Sequence, residues 1–221
     1  MIDWGWIIGH LDDIAFLTIQ HLVLTAVPLA VGFAISLGLA IWAVRRPVVY
    51  GPVTAVTGLL YTIPSLAAFA LLVPIFSFSY LTAFIPLTTY TLLILFRNTV
   101  AGFESVPREV LEAADGMGYH GRERLLRVEI PLAVPLMMAG LRLSAVTLIG
   151  LATVASILGS SFGGLGQLIT DGLQTFFPTK YLLGAVLSVA LAFAVDLSFV
   201  RLERLLTPWA RARGEAAGAP S

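Results

Sequence analysis

Cysteine is absent from this chain of 221 residues, and charged residues make up only 12% of it. The first absence excludes disulfides and thiol chemistry. The second separates the chain from soluble domains, in which about a quarter of the residues are charged. Hydrophobic residues make up 58% of the sequence, so the composition predicts a protein of the lipid bilayer. The formal net charge is zero, and we expect no nucleic acid among its partners.

The amino-terminal segment lacks the basic residues with which a cleavable signal peptide begins. It carries acidic residues instead, among them Asp3 and Asp13. We therefore expect the first apolar segment to stay in the mature protein. Trp4 and Trp6 are typical of a membrane interface, and residues 1–15 are predicted to precede the first span.

Long uncharged runs predict about five transmembrane helices. A spanning helix needs about 20 mostly apolar residues. Residues 47–96 contain no charged side chain, and at about 1.5 Å per residue they would extend roughly 75 Å, more than twice the bilayer core. This run must cross twice, with a break in the segment 74–80, where Pro and Ser cluster. The predicted spans are residues 16–44, 53–73, 81–102, 134–158 and 181–200.

Basic residues cluster at one end of these spans, which predicts the orientation. Arg45 and Arg46 follow the first span, and further arginines flank or fill the loop after the third span and follow the fifth. Because basic residues favour the cytoplasmic side, we expect the N-terminus outside and the C-terminus in the cytoplasm. The loop 103–131 is then cytoplasmic, residues 16–206 form one membrane domain, and 207–221 are a flexible cytoplasmic tail.

A motif in the long loop is the most specific feature of the chain. The run 112–118, Glu-Ala-Ala-Asp-Gly-Met-Gly, is followed at 128–131 by Val-Glu-Ile-Pro. It resembles the cytoplasmic-loop signature of ABC-importer permeases: Glu-Ala-Ala, three residues, Gly, nine residues, Ile-x-Leu-Pro. Val128 and Ile130 are mild departures. The resemblance implies the type I importer permease fold, an all-α membrane protein that forms half of a channel.

By this resemblance, the first part of the loop is a coupling helix that docks into a cleft on a separate ATP-binding subunit. The residues assigned to coupling are Glu112, Ala113, Ala114, Asp115, Gly118 and Pro131. From the residues alone, we expect Ser105 to cap this helix and Gly118 to permit a sharp turn after it. A second short helix, 122–128, should end before Pro131. The alternative is an amphipathic loop that packs only on its own bundle.

The chain lacks a nucleotide-binding motif. A P-loop needs a lysine after its glycines, but the only lysine is Lys180, and the glycine-rich segment 159–166 leads to Gln167. ATP and Mg²⁺ are therefore expected on the partner ATPase, with no cofactor, metal site or catalytic residue in this chain. The segment 159–166 is either a linker or a shaped contact for a binding protein.

The resemblance also implies other partners and a location. The partners are a second permease copy or paralogue, an extracytoplasmic substrate-binding protein and membrane lipid. The location is the cytoplasmic membrane of a bacterium or archaeon.

Further segments resemble the osmoprotectant branch of these permeases, which imports glycine betaine, choline, carnitine or proline betaine. They are Thr-Ile-Pro-Ser-Leu-Ala at 62–67, Arg-Asn-Thr at 97–99, Gly-Leu-Ala-Thr at 150–153 and Gly-Gly-Leu-Gly at 163–166. The alternative is an amino-acid importer permease of the methionine type, which shares the architecture. A secondary transporter or channel working alone would leave the loop motif unexplained.

Aromatic residues and a proline predict where a translocation path lies. Quaternary ammonium groups are attracted to aromatic faces, and a mid-span proline kinks a helix and frees a backbone carbonyl. The candidates are Tyr61, Pro64, Ser65, Phe69 and Tyr90. Such aromatics more often face lipid or the core, and Pro64 fits a static kink equally well.

Arg142 and Asp196 are predicted to lie inside the fourth and fifth spans. Arg142 lies roughly 12 Å, and Asp196 roughly 8 Å, from the same face of the membrane. Charges within a membrane are costly and usually paired. We expect an ion pair that joins the two helices rather than a proton relay.

Overall fold

The computed structural model describes residues 2–156 and 162–209, in which all the regular structure is helical. The helices are α1 (Trp4–Gly9), α2 (Leu11–Arg45), α3 (Tyr50–Thr62), α4 (Ser65–Phe76), α5 (Tyr80–Glu104), α6 (Arg108–Gly116), α7 (Arg122–Arg124), α8 (Ile130–Ala155), α9 (Leu165–Gln174) and α10 (Pro178–Leu206). A 3-10 turn at Pro47–Val49 precedes α3, and a π-helical turn at Leu125–Glu129 joins α7 to α8.

The number of spans agrees with the prediction of about five. Four helices in the described residues are long and apolar enough to cross a membrane: Leu11–Arg45, Tyr80–Glu104, Arg122–Ala155 and Pro178–Leu206. The count becomes five when a pair of shorter helices, Pro47–Thr62 and Ser65–Phe76, which bend by 89° at the break between them, is taken as one broken span.

The second crossing departs from the expected kinked span 53–73. Ile63 has extended backbone angles, φ −64° and ψ 126°, and separates two distinct helices. Because the residue before a proline is disfavoured in the α region, Pro64 imposes this conformation on Ile63. Pro64 therefore acts where expected, but it breaks the helix instead of only bending it.

The long helices form a bundle with two apolar clusters, one in each half. We call the end that carries α6 the loop end and the opposite end the far end. Leu24, Leu87 and Leu148 belong to the far-end cluster, and Phe96 and Met137 belong to the loop-end cluster. Because α2, α5 and α8 each contribute to both clusters, they form the centre of the fold.

Glycines allow the central helices to approach closely. A Cβ at Gly140 of α8 would lie 2.7 Å from the Cβ of Asn98 on α5, and a Cβ at Gly32 of α2 would lie 1.9 Å from the hydroxyl of Thr91. Small residues at such positions let membrane helices gain packing that larger residues would prevent. The spacing of the bundle therefore depends on these glycines.

The start of α9 is anchored at the far end by two polar side chains of α2. The Gly164 N–H donates to Gln20 Oε1 at 3.1 Å, and the Leu165 N–H donates to His21 Nδ1 at 3.2 Å. The other ring nitrogen of His21, Nε2, lies 3.1 Å from the Ile149 carbonyl of α8 and donates to it. His21 is fully buried, so its ring joins three helices.

Two sequence predictions fall partly outside the described residues. The segment 159–166 was expected as a linker or a shaped contact, and its described part, from Phe162, is held by the contacts to α2; residues 157–161 lie outside the description. Of the predicted tail 207–221, residues 210–221 also lie outside it. Residues 2–15, ahead of the first predicted span, form α1 and the start of α2.

We expect Gly140→Ala to destabilise the protein. The added methyl group would overlap Asn98 and force the helices apart, at a cost of about 1–3 kcal/mol in the free energy of unfolding. The thermal unfolding midpoint of the detergent-solubilised protein measures this loss. Gly150→Ala is the matched control on the same helix, because nothing lies within 4 Å of a Cβ at that position. Equal midpoints for the two variants would contradict the role given to the close contact.

Candidate functional site

The loop motif folds into α6, a short helix that a glycine closes. The Gly118 N–H donates to the Asp115 carbonyl, and the Tyr119 N–H donates to the Ala114 carbonyl, both at 3.0 Å. This pair of bonds is a Schellman motif, which requires a left-handed residue after the helix. Gly118 supplies it with φ +89°. Nothing lies within 4 Å of a Cβ built there, so the backbone conformation, rather than space, calls for glycine.

The helix begins differently from the prediction, which placed Ser105 as its N-cap. Ser105 has helical backbone angles and ends α5, with its hydroxyl donating to the Gly102 carbonyl at 2.8 Å. An N-cap residue normally has extended angles, and Pro107, with φ −59° and ψ 140°, holds that position before Arg108. The expected cap is therefore wrong.

The second short helix is also not a separate element. Residues 122–129 continue without interruption into α8, so Pro131 lies in the first turn of α8 rather than after a stop. The Ile130 N–H donates to the Leu125 carbonyl, five residues back, in a π-helical turn. A proline in a regular helix clashes with the carbonyl four residues earlier. The wider turn lies at that position and lets the helix pass Pro131.

A chain of ion pairs connects α6 to the bundle. Arg124 Nη1 donates to both carboxylate oxygens of Asp115, at 2.8 and 2.6 Å, while its Nε donates to Glu129 Oε1 at 2.9 Å. Arg45 Nη2, at the end of α2, donates to both oxygens of Glu129 at 3.1 and 3.2 Å. We call Asp115, Arg124, Glu129 and Arg45 the brace. It ties the coupling motif to α8 and α2.

Glu129 is the central group of the brace. Its side chain is only 7% exposed, and guanidinium groups from two different elements share it. A buried carboxylate is stable only when it is paired and hydrogen-bonded, and the charge-assisted hydrogen bonds from Arg124 Nε and Arg45 Nη2 supply both. The relative positions of α2, α6 and α8 at the loop end therefore depend on this one carboxylate.

Sequence reasoning found Asp115 but missed the other three members of the brace. Arg45 and Arg124 counted only as charges that set the orientation, and Glu129 was the variable position within the motif. One signal was available. Glu129 stands between Val128 and Ile130 at the start of an apolar helix, where an unpaired carboxylate would be costly.

The outer face of α6 remains free for a partner. The Glu112 side chain is 69% exposed, and its ion-pair partner in the described residues, Arg108 at 3.2 Å, is 89% exposed. Ala113 is exposed, and so is Met117, at 69%. Ala114 is only 1% exposed, and its side chain packs inside this chain, so of the two alanines only Ala113 lies on the outer face of α6.

Four of the path candidates meet at the break in the second crossing. The Tyr90 hydroxyl of α5 donates to the carbonyl of Ile63, directly before Pro64. The rings of Tyr61 and Tyr90 lie edge to face, with centroids 5.7 Å apart. Pro64 is exposed and Ser65 is half-buried beside them.

Phe69, the fifth path candidate, does not lie on an open surface. Its side chain is fully buried in the far-end cluster with Leu87 and Leu148. Large aromatic side chains contribute most when they are completely removed from solvent, and the core takes this one. In this conformation Phe69 contacts the core, and its place in a path stays a prediction.

The predicted intramembrane ion pair is present. Arg142 Nε lies 2.9 Å from Asp196 Oδ1, and Arg142 Nη2 lies 3.1 Å from Asp196 Oδ2. Glu203, two turns further along α10, lies 3.8 Å from Arg142 Nη1. The pair joins α8 to α10 as expected, with Glu203 as an additional carboxylate that the sequence did not indicate.

Within the described residues, no group of three or more His, Asp or Glu side chains is placed to hold a metal ion. A cavity of about 310 Å³ opens at the far end, where Trp6, Asp13, Asp171 and Lys180 contribute to its lining. Lys180 Nζ lies 5.4 Å from the centroid of the Trp6 ring, a cation–π distance. The far end thus presents both charges and an aromatic face.

Residues 16–208 match the family model described as binding-protein-dependent transport system inner membrane component. The chain is 38% identical to the carnitine transport permease protein OpuCB of Listeria monocytogenes, over 90% of each chain. It is 35% identical to the glycine betaine/carnitine/choline transport system permease protein OpuCB of Bacillus subtilis, over 89% of each.

A solved structure of the same architecture is the MetNI methionine ABC transporter in an inward-facing conformation. The TM-score is 0.76, with 23% sequence identity over 88% of this chain and 96% of the matched one. At this level of identity, the likeness shows the fold. It agrees with the type I importer permease fold expected from the loop motif.

We expect Arg124→Met to loosen α6 from the bundle. The change removes the hydrogen bonds to Asp115 and Glu129, each of which is charge-assisted, and should raise the amide hydrogen-exchange rates of α6 by on the order of ten- to a hundredfold. Arg122→Met is the control, because Arg122 is exposed on the same segment and, in the described residues, its side chain makes no hydrogen bond or ion pair. Unchanged exchange in Arg124→Met would mean that the brace does not hold α6.

Charge reversal tests the pair inside the bundle. Arg142→Asp or Asp196→Arg alone should lower the yield of folded protein in the membrane, because each places like charges together at low dielectric. The double variant should recover most of that yield. The recovery should be incomplete, because an acidic residue 142 would be repelled by the nearby carboxylate of Glu203. Size-exclusion profiles of the solubilised variants measure the recovery. A double variant no better than either single one would rule out a mutual pair.

Proposed function

The chain belongs to the family of binding-protein-dependent transport system inner membrane components, and from this premise we propose that it imports quaternary ammonium osmoprotectants as the permease subunit of an ATP-driven importer. Its substrates would be glycine betaine, choline, carnitine or proline betaine. The observation that carries the coupling part of the proposal is α6, a helix braced at its base with an exposed outer face.

The coupling role rests on how α6 is held. Glu112, Ala113 and Met117 offer charge, a flat surface and an apolar side chain to a partner. Through Asp115 and Arg124, a displacement of α6 reaches α8 and α2 together. A helix that merely covered its own bundle would bury its apolar side chains, whereas Met117 faces outward. ATP and Mg²⁺ would bind to the partner ATPase, with no cofactor in this chain.

The substrate class is supported by the curated relatives, whose names specify carnitine, or glycine betaine, carnitine and choline together. The methionine transporter shares the architecture at 23% identity, so a methionine-type amino-acid permease is the alternative. Tyr61, which is 39% exposed and packs edge to face on the buried Tyr90, offers an aromatic ring beside the helix break to a quaternary ammonium. Methionine would not need that feature.

The orientation and the other partners complete the proposal. The loop end would face the cytoplasm because it carries most of the arginines. The far end, with Trp6 and Lys180, would meet an extracytoplasmic substrate-binding protein. A second permease copy or a paralogue would close the path against the broken crossing α3–α4.

Uptake of radiolabelled glycine betaine and choline tests substrate and coupling together. The cells would express the chain with its ATPase and binding protein, either unmodified or with Gly118→Val. Valine is strained at the positive φ of Gly118, at a cost of about 1–3 kcal/mol, and should distort the turn after α6. We expect uptake to fall by more than tenfold and the ATPase to co-purify poorly. Gly116→Ala, two residues away at a helical glycine with nothing within 4 Å of its Cβ position, should transport normally.

Two results would contradict parts of the proposal. In the first, the unmodified system takes up methionine and neither of the two solutes. That result would contradict the proposed substrate class in favour of an amino acid and leave the permease role intact. Full uptake and normal ATPase co-purification with Gly118→Val would remove α6 from the coupling path.

A further inference from the structure

Like Arg142, Arg97 lies within a candidate span, but in the described residues it lacks the carboxylate partner that Arg142 has. It precedes Glu104, the last residue of α5, by seven residues, which is about 10 Å along the helix. Within the described part of the chain, its side chain has no hydrogen bond, ion pair or ring contact. An arginine at such a depth almost always faces a water-filled cavity or a partner charge, because exposure to lipid is costly.

The surroundings of Arg97 show which of these applies. Helix α5 is central, and between residues 82 and 103 its exposed positions are Arg97 and Ala101. Both line a cavity of about 270 Å³ that opens between α3 and α5, together with Tyr50, Asn98, Val100 and Glu104. The unpaired guanidinium of Arg97 therefore lies where residues 82–103 of α5 are exposed.

The residues of the cavity share helix faces with the tyrosines at the helix break. Tyr90 precedes Arg97 by seven residues, or nearly two full turns, so the two side chains leave α5 on the same face. Tyr61 and Tyr50 are eleven residues apart on α3, about three turns, and also share a face. The tyrosine pair at the helix break and the cavity at the loop end thus lie on the same faces of α3 and α5.

The chemistry of the cavity suits a small zwitterion. A guanidinium binds a carboxylate through two parallel hydrogen bonds. The Tyr50 ring, which is 37% exposed and stacks on Phe96 at 5.6 Å, offers an aromatic face to a quaternary ammonium. The volume lies just below the range of about 300–1,000 Å³ that holds drug-sized ligands, as expected for a smaller solute.

We propose that Arg97 binds the carboxylate of a zwitterionic substrate in this loop-end cavity, with Tyr50 beside the ammonium group, before release to the cytoplasm. The proposal rests on the proposed function and narrows it. Glycine betaine, carnitine and proline betaine carry a carboxylate, whereas choline carries a hydroxyl. Arg97 would therefore favour the betaines over choline within one substrate class.

Paired uptake kinetics of glycine betaine and choline test this role. In cells that carry the complete transporter, Arg97→Gln should reduce kcat/KM for glycine betaine by about ten- to a hundredfold, the usual effect of losing hydrogen bonds to a charged group. Choline uptake should change less than about twofold by the same reasoning, which also shows that the variant folds and couples. Arg97→Lys keeps the positive charge but cannot make two parallel hydrogen bonds to a carboxylate. Its kcat/KM for glycine betaine should lie between the values of the unmodified transporter and Arg97→Gln.

Arg46→Gln is the matched control. Arg46 is an exposed arginine at the end of α2, and in the described residues its side chain has no ion pair or hydrogen bond either. It should transport both solutes normally.

Three results would overturn the proposal. An equal loss of both solutes in Arg97→Gln would assign the guanidinium to a lipid phosphate or to folding, and no loss of either would make it a solvated charge. Import of choline but not of glycine betaine by the unmodified system would also overturn it, because choline has no carboxylate for Arg97 to bind. Uptake of neither solute by the unmodified system would instead mark failure of the proposed substrate class, on which this inference depends.

Discussion

The loop end of this protein depends on one buried carboxylate that two guanidinium groups share. Glu129 begins the fourth crossing, and without Arg45 and Arg124 its charge would lie unpaired against apolar helices, which is among the most costly arrangements in a protein. The pairing satisfies Glu129 and, through Arg124, also fixes Asp115 of α6. The same contacts therefore stabilise the fold and connect the exposed loop helix to two spans. Substitutions there are expected to affect stability and coupling together.

Away from the brace, the bundle is held by close backbone approach. Lipid chains are as apolar as leucine, so burial of apolar surface between helices gains little in a membrane, and packing and hydrogen bonds determine the arrangement. Gly32 and Gly140 allow this approach between α5 and its two main neighbours. His21 and Gln20 supply the polar counterpart at the far end, where they satisfy backbone N–H groups at the start of α9 that would otherwise be orphaned within the fold.

Much of the architecture follows from the sequence, because apolar run length and charge placement are strong signals in a membrane protein. The approximate number of crossings, the short helix that the turn at Gly118 closes and the pair of Arg142 with Asp196 were all predictable. The errors occurred where the preference of a single residue type was overridden by the helices on either side of it. Ser105 has the residue type of an N-cap but closes the previous helix, and Pro131 has the residue type of a helix stop but passes through a π-helical turn.

The contacts of individual side chains were harder to predict than the positions of the helices. Phe69 and Tyr90 look alike as aromatics in apolar helices, and both are buried. Phe69 packs in the far-end cluster, whereas the Tyr90 hydroxyl donates to the Ile63 carbonyl at the broken crossing. Glu129, Arg124 and His21 gain their roles from partners far away in the sequence, such as Arg45 and Ile149. Helical periodicity says nothing about these distances, so no single-chain pattern could have assembled the brace.

The π-helical turn before Pro131 has a geometric consequence for the whole fourth crossing. A π turn holds one residue more than the corresponding α turn, and one residue corresponds to about 100° of rotation around an α-helix. Every side chain after Leu125–Glu129 is therefore offset by that angle relative to Arg124. The turn sets the phase between the two ends of the helix: with it, Arg124 and Glu129 face the loop and α2 while Arg142 faces α10. A regular helix of the same sequence could not satisfy both ends at once.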